Sequence, residues 1–111
     1  MTLASPQEVM QRLDEIEAQM ATNQNALEAA AMTFYSCKRE VDVERAKATL
    51  RQKGGTVAER EAQALLEVSS GDLWQKFVPA EAAYESLKLA QRSLADRASI
   101  GQSILRAQKA A

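Results

Sequence analysis

With 111 residues, a net charge of -1, 46% hydrophobic and 26% charged residues, the chain is sized for one domain over 1–111. This composition excludes a disordered chain and gives none of the basic excess of a nucleic-acid-bound protein. Abundant Ala with strong helix formers, few aromatics and no alternating β-branched run exclude a β fold and point to an all-α one.

Residues 1–5 read as a short disordered lead. "SPQE" then opens a helix over about 6–53: Ser5 caps, Pro6 suits the first helical position, and Glu8 closes a capping box. Val9, Leu13, Ile16, Met20, Asn23, Leu27, Ala30, Phe34, Cys37 and Val41 step by three and four, the seam of a coiled coil. Past Val41 the frame is expected to slip to Val43, Ala46 and Leu50. Asn23 is a polar seam residue, expected to fix register at some cost in stability, so that Asn23→Leu raises the melting temperature. Cys37 reads as a small buried apolar residue.

The turn is Gly54–Gly55. Glycine stops the first helix, while Thr56 and Glu59 cap a second one over about 57–108. So short a connection makes the two helices antiparallel neighbours. The second seam reads Leu66, Leu73, Phe77, Ala80, Tyr84, Leu87, Gln91, Leu94, Ala98, Gly101 and Leu105. Leu66 and Leu73 keep phase, so one long helix is expected, with a weak point near 69–72 and a kink at Pro79. Three helices, breaking at Gly71, are the alternative. Folding at the glycines sets Val41 against Val68, Phe34 against Trp74 and Phe77, and Leu27 against Ala83 and Tyr84. The expected fold is therefore a long antiparallel helical hairpin. Off-seam Met10, Met32, Val43, Leu65, Trp74, Val78, Leu89 and Ile104 form a second apolar face. Two copies are expected to join through it as a four-helix bundle, since a lone hairpin buries little.

Catalytic chemistry finds no support. A phosphate loop needs G-x-x-x-x-G-K-[ST] after a strand, whereas "GGT" follows a helix and Lys53 precedes the glycines. No histidine is present, which removes imidazole bases and ligands, and one cysteine makes neither a zinc site nor an internal disulfide. "GQSIL" lacks the last glycine of a nucleophile elbow. No enzyme activity, cofactor or metal is expected. Charge is uneven along the chain: residues 1–32 hold Glu8, Asp14, Glu15, Glu17 and Glu28 against Arg12, whereas 33–60 hold seven bases against four acids. Arg39, Arg45, Lys47, Arg51, Lys53 and Arg60 are thus a candidate interaction tip, for an acidic partner or weakly for nucleic acid. Interleaved acids and the lack of a stacking platform oppose base reading.

"AAMTFYSCKREVDVERAKATLRQKGGTVAEREAQALL" (Ala30 to Leu66), followed by "AEAAYESLKLAQRSLADRASIGQSIL", resembles small helical-hairpin accessory proteins of tailed bacteriophages. Gly55 to Glu61, "GTVAERE", is the most specific piece, and the likeness covers roughly residues 30–105. It implies a non-enzymatic phage protein that binds itself and another phage or host protein, in DNA replication or recombination or in host take-over. A virion scaffold or chaperone and a weak DNA-binding protein are the rival expectations. No apolar run approaches the ~20 residues of a membrane span, and no secretory leader is read. The expected location is the cytoplasm, that of the host bacterium for a phage protein.

Overall fold

The computed structural model describes residues 4–110. Residues 1–3 of the expected lead, and Ala111, lie outside the described residues. The described chain is all-α, with three helices and no strand: α1 Pro6–Arg51, α2 Val57–Ser69 and α3 Asp72–Ala110.

Each boundary has a local cause. Ser5 starts α1: its Oγ accepts the Glu8 N–H at 3.2 Å and its carbonyl the Val9 N–H at 3.0 Å. Gly54 and Gly55 both take positive φ, +79° and +76°, which a side chain would strain. Thr56 Oγ1 accepts the Glu59 N–H at 3.2 Å and starts α2.

The expected single second helix is two helices. The Ser69 hydroxyl donates to the Leu66 carbonyl, the Ser70 hydroxyl to that of Glu67, and the Gly71 N–H to that of Val68. These bonds take up the last carbonyls of α2 and close it, so that α3 starts afresh at Asp72. α3 runs through Pro79, whose ring removes the N–H that would bond Gln75.

The chain divides into two compact units. The central unit, Ala29–Glu85, holds the second part of α1, all of α2 and the start of α3. Val41, Ala48, Ala64 and Val68 form its buried cluster, with Leu73, Trp74 and Phe77 packed against it. Ala48 and Ala64 are wholly buried, and their small side chains let α1 and α2 approach closely. Phe34 stacks on Phe77 and Tyr84, with ring centroids 5.7 and 5.0 Å apart. The expected pairings of Phe34 with Phe77 and of Val41 with Val68 lie in this unit.

Two seam assignments here need correction. The α1 frame does not slip at Val41. It continues through Glu44 and Ala48, with Gln52 half-buried just past the end of α1, while Val43 and Leu50 are 50% and 86% exposed. Polar residues hold this stretch because their heads find partners at its edge: Glu44 accepts from Arg51, and Gln52 donates to Glu67. In α2, Leu66 is exposed, and Ala64 and Val68 face the core instead. Once the helix breaks at Ser70–Gly71, the phase of α3 no longer dictates that of α2.

The terminal unit joins the chain up to Glu28 with the chain from Ser86. Val9, Ile16 and Leu94 are its buried apolar residues. Between its antiparallel helices lies a polar layer: Asn23 Nδ2 donates to the Leu87 carbonyl at 3.2 Å and to Gln91 Oε1 at 2.8 Å. Gln91 Nε2 returns a bond to the Met20 carbonyl at 3.3 Å.

Candidate functional site

The terminal unit carries a groove between α1 and α3. Val9, Leu13 and Ile16 form one wall, Ile100, Gly101 and Ile104 the other, around about 670 Å³. Gly101 makes the close approach here. A Cβ at this position would lie 2.7 Å from Leu13 Cδ2, so the missing side chain lets Leu13 rest on the α3 backbone. Ile100 stays 61% exposed and Ile104 44% exposed. Arg12, Glu15 and Arg97 add both signs of charge to the lining. At one end Gln108 Nε2 donates to the Ala4 carbonyl at 2.8 Å, and its Oε1 is buried without a partner. The sequence placed Gly101 on the second seam and Ile104 off it. The groove itself was missed, because it needs the facing register of α1 and α3.

Two of the six cations of the candidate tip, Arg51 and Arg60, are engaged within the protein. Arg51 Nη2 donates to Glu67 Oε1 at 2.9 Å and to Glu44 Oε1 at 3.3 Å. Those bonds, Glu67's first, hold the guanidinium above its ordinary value, so Arg51 stays a cation already matched by two carboxylates. Arg60 Nη1 donates to the Gly55 carbonyl at 2.9 Å and clasps the turn. Arg39, Arg45, Lys47 and Lys53 are exposed. At ~100° per residue around a helix, Arg45 and Lys47 leave α1 on widely different sides.

The candidate apolar face is placed unevenly. Met10, Met32, Val43, Leu65, Val78, Leu89 and Ile104 are exposed. Trp74 is not on it: its ring packs on the central cluster, 5.5 Å from Phe77. Tyr35 and Leu50, absent from the expected face, are exposed on α1 as well. Cys37 is a half-buried free thiol. Among the described residues no group of His, Cys, Asp and Glu could hold a metal, and no helix is long and apolar enough to cross a membrane.

Comparison with family models, curated proteins and solved structures gives no match. The functional reading therefore rests on the residues themselves.

Proposed function

We propose that the chain is a non-enzymatic protein-binding module whose groove takes an amphipathic helix of another protein. The open groove between Leu13 and Ile104 carries this reading. Two antiparallel helices with an apolar channel between them offer the seat that a third helix fills with residues at i, i+3, i+4 and i+7. A helix with both acidic and basic residues beside its apolar stripe would meet Arg97, Arg12 and Glu15. The likeness of residues 30–105 to phage hairpin proteins supports placing that partner among phage or host proteins of DNA replication and recombination.

Self-association into a four-helix bundle belongs to the same reading. Among the described residues eight apolar side chains are buried and twelve large ones are exposed, so much of the apolar surface still lacks a cover. Direct DNA binding is the weaker reading, because Arg51 and Arg60 are engaged within the protein.

A photo-crosslinker placed at Ile104 tests the groove. It should tag a helix of one partner protein, and a peptide of that helix should bind with an affinity that Ile100→Asp with Ile104→Asp lowers at least tenfold. Crosslinks to no helical segment, or binding indifferent to the two aspartates, would overturn the groove reading.

A further inference from the structure

The two helices that form the groove of the terminal unit carry opposite charge. From Pro6 to Glu28, α1 holds five acids and one base, a net charge of -4. From Ser86 to Ala110, α3 holds five bases and one acid, a net charge of +4. The rim of the groove shows the same division: Glu15 stands on α1 and Arg97 on α3, both exposed. Leu13 against Gly101 and Asn23 against Gln91 set the levels of the two helices, one step forward on α1 being one step back on α3. Arg97 therefore stands two residues, about 3 Å, along the groove from Glu15. Ile100 is one residue from the level of Leu13, and Ile104 one residue from that of Val9.

We infer that a second copy of the chain closes this groove when no partner helix fills it, with α1 of each copy lying on α3 of the other. The inference rests on the reading of the groove as a helix seat in a chain that self-associates, and it names the face, the occupant and the register. The seat asks for an apolar stripe flanked by both signs of charge. The start of α1 is such a helix, with Val9, Leu13 and Ile16 running beside Arg12 and Glu15. A twofold axis along the groove keeps every level, so Glu15 of each copy comes to Arg97 of the other, and the contact is made twice. Arg12 falls between the levels of Ile100 and Ile104 of the other copy, where its stem covers apolar surface and its head reaches water. It stays about 7.5 Å along the axis from Arg97. Facing the grooves the other way, α1 on α1 and α3 on α3, would set acidic helix on acidic helix and basic on basic. Charge therefore selects the first arrangement, and Ile100 and Ile104 of each copy are covered by the other.

Sedimentation equilibrium of charge-reversed variants tests this. Both positions are exposed, so helicity should be unchanged in every variant. Glu15→Arg alone and Arg97→Glu alone should each weaken the dimer at least tenfold, because each sets like charges together twice. An equimolar mixture of the two variants should recover a dimer within about threefold of the unaltered one, since both contacts of the mixed pair are again opposite in sign. A contact within one chain is not restored by mixing. Added salt should weaken the unaltered dimer several-fold. A dimer of Glu15→Arg as tight as the unaltered one would overturn the placing of α1 on α3. Single variants that are weakened but not recovered by mixing would overturn the pairing of Glu15 with Arg97. A dimer indifferent to both reversals and to Ile100→Asp with Ile104→Asp would overturn this face and leave self-association standing. A monomer at tens of micromolar would overturn self-association and leave the groove as a seat for a partner helix, which the crosslinker at Ile104 tests separately.

Discussion

The central unit packs parts of three helices and the terminal unit parts of two, and the two are filled with different chemistry. In the central unit the interface is aromatic and aliphatic: Phe34 lies among Tyr35, Phe77 and Tyr84, and Val41 and Val68 lie beside wholly buried alanines. In the terminal unit a polar layer interrupts the interface at Asn23 and Gln91, and a glycine narrows it at Gly101. Apolar packing is strong and forgiving of register, since hydrophobic burial has no direction. A hydrogen-bonded layer adds less energy but accepts one alignment. The first unit thus supplies most of the stability, and the second supplies alignment and an open groove.

Truncation of one buried side chain in each unit tests that division most severely. Phe34→Ala removes a ring that touches three others and should cost about 3–5 kcal/mol in chemical denaturation. Leu94→Ala, in the terminal unit, should cost about 2–3 kcal/mol. Equal or reversed losses would remove the energetic distinction between the units.

The polar layer gives the next largest effect. Asn23→Leu on its own leaves Gln91 Oε1 without its 2.8 Å donor, so the single change should not raise the melting temperature, contrary to the expectation from seam position alone. Asn23→Leu with Gln91→Leu replaces both partners by apolar groups and should be more stable than either single variant, with a coupling of about 1 kcal/mol. The double variant should also lose its unique register, visible as broadened amide resonances from Met20 to Glu28. A single Asn23→Leu as stable as the pair would show that the two side chains act independently.

The sequence carried the helices and most of the α1 seam because both are local. A cap needs three neighbours, and a heptad needs only spacing. Ser5, Gly54, Gly55 and Thr56 act where their residue types place them. Spacing failed where side chains choose between water and a neighbour. Val43 and Leu50 are more apolar than Glu44 and Gln52, yet the latter take the inner positions because Arg51 and Glu67 hold their polar ends. Leu66 was misplaced because its phase was tied to Leu73 across a helix end, which three local hydrogen bonds make final. Trp74, counted on the second face although the fold-back also set it against Phe34, packs on the central cluster beside Phe77. The groove was the least legible feature. It is open space that exists only once α1 and α3 face each other in register, and Gly101, against which Leu13 packs, lies on its wall.

The smallest effect separates the units by pH. The Tyr84 hydroxyl is held above its ordinary value of 10.0, first by a hydrogen bond with Tyr35, then by burial and by the negative charges near it. A proton bound more tightly in the folded state stabilises that state below the ordinary tyrosine range, and the contribution is lost as pH rises through the raised value. Unfolding midpoints of the protein should therefore be insensitive to Tyr84 from neutrality to about pH 9 and fall beyond pH 10. Tyr84→Phe lacks the ionising group, so its alkaline decline should be shallower. Followed at Trp74 by fluorescence, the difference should report on the central unit, where Trp74 packs on Phe77. The same alkaline slope in both proteins would mean that Tyr84 reaches water freely, and that the aromatic cluster is looser than its ring distances indicate.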